Sequence, residues 1–149
     1  MTELYHLAYI SKAKIPGDLD TVKQEVNDIL TAAQRNNPRL EITGALLYSG
    51  GYFCQVIEGE MEHLEELFEI IQLDGRHNEV TVLHFEPLEN RGFSDWSMAF
   101  AGIEDRMRFD IAGIKASKDD LPAKQAGKEL VSTLEALVSQ HQSLATSLP

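Results

Sequence analysis

Tyr52-Phe53-Cys54-Gln55-Val56-Ile57-Glu58-Gly59 is a mostly apolar run that closes on a Glu-Gly turn. Its length and its aromatic and β-branched content read as a buried strand. Gln55 is out of character there. A primary amide turned inward from such a strand needs partners, because an unpaired buried amide costs about 1–3 kcal/mol. The amide also exchanges donor for acceptor when it rotates. Set between a phenol and a ring with several acceptors, it becomes a two-state hydrogen-bond switch.

Working outward, Ser49-Gly50-Gly51 is a short turn, so residues 42–48 form a hairpin with this strand. Further upstream, Asn36-Asn37-Pro38 stops a helix that starts at Asp18 or Asp20 and runs to about residue 35. Val22, Val26, Ile29, Leu30 and Ala33 share one side of it. Pro16-Gly17-Asp18 is a turn, and residues 4–11 alternate as the first strand. Tyr5, Leu7, Tyr9 and Ser11 take one face; His6, Ala8 and Ile10 take the other.

Downstream, residues 61–73 form a helix with Leu64, Leu67, Phe68 and Ile71 at helical spacing, ended by Asp74-Gly75. Residues 80–85 and 96–103 are the last two strands, with Asn90-Arg91-Gly92 between them. The order βαββαββ begins as a split βαβ unit. The expected class is α+β: a ferredoxin-like, five-stranded mixed sheet with two helices on one face. The first and third strands are then central neighbours, and Tyr9 and Gln55 face the same two helices.

Residues 1–103 make one domain on this reading, and residues 104–149 a helical extension. Asp119-Asp120-Leu121-Pro122 is a helix entry, and Leu130, Val131, Leu134, Leu137 and Val138 form an apolar stripe. That helix either covers the sheet's bare face or docks a second copy or a partner.

The 149 residues suit one core of ordinary size, with 43% hydrophobic and 25% charged content. A net charge of -11 argues against direct nucleic-acid binding and against adhesion to anionic membranes. No run reaches the ~18 apolar residues of a spanning helix. The start Met1-Thr2-Glu3-Leu4 lacks a signal-peptide pattern, and the single Cys54 rules out an internal disulfide. A cytoplasmic protein is expected.

No metal site is expected, because His77 and His84 fall on different elements and Cys54 has no partner at ligand spacing. No phosphate-cradling glycine loop is present. Glu58, Glu60, Glu62, Glu65 and Glu66 crowd a helix start and read as a solvated face. Tyr9 and Gln55, with Asn36-Asn37 at the end of the first helix, make a polar cluster in an apolar cleft. That is the layout of a small-molecule site.

Five stretches carry a resemblance. They are His6-Leu7-Ala8-Tyr9-Ile10-Ser11, Asn36-Asn37-Pro38 with Ile42-Thr43-Gly44, Phe53 to Gly59, Asp74-Gly75-Arg76-His77 and Trp96-Ser97-Met98. In this order and spacing they resemble the BLUF family of blue-light sensors that bind FAD. The match covers about residues 3–103 and leaves the tail uncovered.

The resemblance implies that Ile29 and Ile71 sandwich the flavin ring. It places Asn37, with Asn36, at the ring's polar edge, and Arg76 and His77 beside its pyrimidine side. It implies that Tyr9 yields an electron and a proton to the photoexcited flavin. Gln55 then ends rotated or tautomerised, which gives a small red shift. Ser11 supports the amide or the ring. Trp96 and Met98, sharing a face of the fifth strand, relay the signal.

FAD is the expected cofactor, with FMN or riboflavin as substitutes. With no effector expected after residue 103, output goes to an unidentified partner protein, from a homo-oligomer. Two other readings stay open: a ligand-binding or assembly module without photochemistry, and an enzyme using Tyr9 or His77 in acid–base work.

Overall fold

A computed structural model of the chain describes residues 3–14, 18–94, 98–104, 109–119 and 121–147. Five strands form one mixed sheet: β1 (Leu4–Ala13), β2 (Thr43–Ser49), β3 (Tyr52–Glu60), β4 (His77–Leu88) and β5 (Ala99–Glu104). Their spatial order is β4-β1-β3-β2-β5, with only β2 and β5 parallel. Helices α1 (Leu19–Asn36) and α2 (Met61–Leu73) lie on one face, and α3 (Ile111–Ala116) and α4 (Leu121–Ser147) follow β5. The ferredoxin-like α+β expectation holds.

Local chemistry sets the boundaries. Asp18 caps α1 by accepting from the Thr21 amide at 2.9 Å. The helix ends where Pro38 enters a 3-10 turn, Asn37–Leu40. Gly50 and Gly51 turn the β2–β3 hairpin at φ 53° and 87°, a region open to glycine without strain.

Two apolar layers sandwich the sheet. On the α1/α2 side, Val22, Val26, Leu30 and Leu64 pack on Leu7, Leu46, Phe53, Ile57 and Met98. On the other side, Leu130, Leu134 and Val138 of α4 pack on Ala8, Ile10, Cys54 and Val56. Alternation alone sorts the strand residues between the layers. The tail helix thus covers the face that α1 and α2 leave bare.

Three details differ from the sequence reading. β4 starts at His77 because residues 77 and 78 pair with Ala13 and Lys12. Asn78 and Glu79 are poor strand formers, and Glu79 sits at φ 50° beside a register shift, so pairing overrides composition. His77 and His84 therefore share one strand. β3 extends through Glu60, so Glu58 is a strand residue only 2% exposed, not part of a solvated helix start. β5 begins at Ala99, so Met98 precedes it. Trp96, Ser97, Asp120 and the expected Pro16-Gly17 turn lie outside the described residues.

Candidate functional site

A cleft of about 700 Å³ opens between α1, α2 and the sheet. Its floor is set by register. Tyr9 and Gln55 are directly opposed on β1 and β3, so both side chains emerge on the same face. The Tyr9 hydroxyl donates to Gln55 Oε1, and Gln55 Nε2 donates to Met98 Sδ at 3.3 Å. Tyr9 is 2% exposed and Gln55 6%. Burial, then the nearby Asp74 charge, push the Tyr9 pKa far above the usual phenol range.

Ile29 and Ile71, from α1 and α2, are apolar wall residues of this cleft. Asn36 and Asn37 line it at the C-terminal end of α1, and Arg76 and His77 line it after α2. Asn37 is buried, and its carbonyl accepts from the Ile42 amide at 3.1 Å. Arg76 is held by Asp74, with Nε to Oδ1 at 3.1 Å. His77 Nε2 contacts the Ile71 carbonyl, which only accepts, so that nitrogen carries the hydrogen. His77 Nδ1 then accepts from Ser11 Oγ at 2.6 Å.

The structure thus gathers Tyr9, Ile29, Asn36, Asn37, Gln55, Ile71, Arg76, His77 and Met98 around one cleft. Ser11 is not among the lining residues; its hydroxyl meets His77 Nδ1 and orients that ring. Trp96 lies outside the described residues. Sequence reasoning missed Gln34, which donates to the Met98 carbonyl at 3.1 Å and ties α1 to the residue beside Gln55. Its signal was a polar residue continuing the row Val22, Val26, Leu30. It also missed Arg39, a second guanidinium lining the cleft. The wall is apolar, the floor is a hydrogen-bonded amide, and cationic and amide groups sit at the ends. Such a site suits a flat heteroaromatic ring with a polar edge.

A family model described as sensors of blue-light using FAD, BLUF, matches residues 4–99. The photoactivated adenylate cyclase subunit beta of Euglena gracilis is 36% identical over 104 residues, 69% of this chain and 12% of that protein. The chain therefore spans a small part of that relative. Among solved structures, the BLUF protein BlrB in its dark state gives a TM-score of 0.68 at 32% identity, covering 95% of this chain and 98% of that one. A bacterial light-regulated adenylyl cyclase gives 0.61 at 28% identity, over 98% of this chain and 37% of that one. The chain belongs to the BLUF family, the sensors of blue light using FAD.

Proposed function

We propose that this chain reports blue light through a rearrangement of the Gln55 amide, with FAD as the chromophore in the Tyr9–Gln55 cleft. The observation that carries the reading is the buried chain from the Tyr9 hydroxyl through Gln55 to the Met98 sulfur. The donor set fits a flavin. Ile29 and Ile71 would hold its ring faces, while Asn36, Asn37, Arg76 and His77 would meet its polar edge. A cleft of about 700 Å³ is within the usual range for ligand sites.

A bound flavin supplies the blue absorption band and, once excited, an acceptor for one electron. Tyr9 is the donor. Its burial disfavours the phenolate, so the proton would not leave ahead of the electron, and oxidation of the phenol, which makes it strongly acidic, would release it. Gln55 Oε1, already hydrogen-bonded to that hydroxyl, is the first stop for the proton. Among the described residues, Gln55 Nε2 donates to a thioether, a weak acceptor that holds the amide lightly against rotation or tautomerisation. With electron and proton restored to Tyr9, the lasting change would lie in the hydrogen bonds of Gln55.

Met98 is the first residue to register the change, and β5 carries it to the segment after residue 104. We assign residues 1–103 to the sensor and residues 104–149 to an output or oligomer interface. The downstream partner is a protein effector that reads a homo-oligomer of the chain in the cytoplasm. The Euglena relative, a photoactivated adenylate cyclase subunit, supports an effector readout of this kind.

Purified protein tests this directly. The expected result is a yellow preparation whose flavin band shifts reversibly to the red under blue light. A colourless preparation that FAD, FMN and riboflavin all fail to reconstitute would overturn it.

A further inference from the structure

Glu58 is a buried ionisable group that the light reaction does not use. It lies on β3, three positions beyond Gln55, and alternation sends its side chain to the opposite face of the sheet. A carboxylate at 2% exposure persists only where donors surround it. Oε1 accepts from Thr43 Oγ1 at 2.8 Å and from the Phe93 amide at 3.0 Å, and Oε2 accepts from the Gly92 amide at 2.6 Å. Arg91 closes the ring, with Nη1 donating to the Glu58 carbonyl at 3.0 Å and to Thr43 Oγ1 at 2.9 Å.

Residues 91–93, between β4 and β5, are thus tied to β2 and β3 through the side chains of Glu58 and Arg91. Glu135 of α4 reaches the same place: a Cβ added to Gly92 would lie 2.6 Å from Glu135 Oε1 and 3.4 Å from Glu58 Oε2. Glycine at 92 leaves the room that the two carboxylates fill. Phe93, whose amide is held, stands shortly before Met98, the acceptor for the Gln55 amide.

We propose that Glu58 is a positioning residue for the light response: it clamps Arg91–Phe93 from the far side of the sheet and so sets the approach of Met98 to Gln55. The proposal rests on the reading of Gln55 as the switch. Two oxygens that only accept are what the clamp requires. A glutamine of equal size would turn an NH2 toward one of the two amides. The clamp holds the loop in the arrangement described here, to which the light state has to return.

The test is Glu58→Gln in the flavin-loaded full chain, with two readouts. Amide hydrogen exchange at Gly92 and Phe93 in the dark is expected to rise by about tenfold or more, as a charge-assisted acceptor is lost. Dark recovery after a blue pulse is expected to slow severalfold, with the extent of the red shift kept. Unchanged exchange at both amides overturns the clamp. Faster exchange with recovery as fast as in the parent chain overturns its role in the light response. If Glu58→Gln fails to fold, Thr43→Val, which removes one donor, is read the same way with smaller changes in the same directions. A parent chain with no red shift defeats the Gln55 reading instead, and the exchange data then judge the clamp alone.

Discussion

Among the described residues, Gln55 makes one strong hydrogen bond and one weak one, and that imbalance makes it movable. The phenol of Tyr9 holds its oxygen, while a sulfur holds its nitrogen at 3.3 Å. In Tyr9→Phe the buried Gln55 oxygen loses its donor, at a cost of about 1–3 kcal/mol. The cleft keeps its shape, so flavin is retained, but the reversible red shift is expected to vanish with the proton and electron donor. A normal photocycle in that variant would remove Tyr9 from the mechanism. Gln55→Leu should likewise hold flavin without the shift, as absorption under blue light would show. Met98→Leu keeps the volume at a cost under about 1.5 kcal/mol and deletes only the weak acceptor. It should keep the shift and change the dark-recovery time; an unaltered recovery would mean that the sulfur is a bystander. The pairing of Tyr9 with Gln55 was legible because both follow from alternation and from neighbouring strands. The roles of Ser11 and Glu58 were not. Ser11 meets His77 across a strand pair whose register shifts at two points, and the side-chain pattern does not announce such shifts. Glu58 was counted with the acids that follow it, although one more pairing places it inside the sheet.

At the scale of elements, α4 and the sheet meet over a pair of histidines. His84 is 5% exposed, and among the described residues neither of its ring nitrogens has a hydrogen-bond partner. Its ring centroid lies 4.4 Å from that of His6, and a Cβ on Gly127 of α4 would come within 2.5 Å of its Nδ1. Desolvation first, then His6, lower its pKa; Glu86 acts against this and Lys128 with it. His6 is lowered by desolvation too, with Glu86 and Glu58 opposing. A base whose folded pKa lies below the unfolded value gives up stability as pH falls beneath about 6.5, because the unfolded chain takes the proton first. The slope is at most about 1.4 kcal/mol per pH unit for each proton. Glu135, raised by desolvation and by Glu58, has the opposite sign and acts nearer its own ordinary value. The urea midpoint should therefore fall between about pH 7 and pH 5.5. His84→Leu should make that decline shallower; an equal slope in the variant would place the titration elsewhere. Leu134→Ala, at a fully buried position of α4, should cost roughly 2–5 kcal/mol at any pH, read as a drop in urea midpoint. The stripe that seats α4 was legible from its spacing. The histidine pair was not, because it depends on β4 starting at His77 and on the register that sets His84 opposite Ala8.

For the whole molecule, the cleft is a large space that the polypeptide leaves unfilled. The sheet's other face is closed by α4, whereas between α1, α2 and the sheet about 700 Å³ stays open. Packed interiors leave few voids larger than a water, so a space of this size marks where a ligand completes the core. The chain carries a net charge of -11, yet Arg39 and Arg76 both line this opening. Asp74 lines the opening too and pairs with Arg76, so Arg39 is the guanidinium there better placed to meet an anionic phosphate against the surrounding negative field. A ligand that binds only the folded chain stabilises it by mass action, by about 2.7 kcal/mol at a free concentration one hundred times Kd. For a chain of this size that corresponds to a rise in Tm of roughly 5–10 °C. Stripping the flavin should lower Tm by that amount, and adding FAD should restore it. FMN should restore less if the second phosphate uses the second arginine, and Arg39→Ala should erase the difference between the two. A melting temperature indifferent to flavin would mean that the cleft does not depend on its ligand to complete the core.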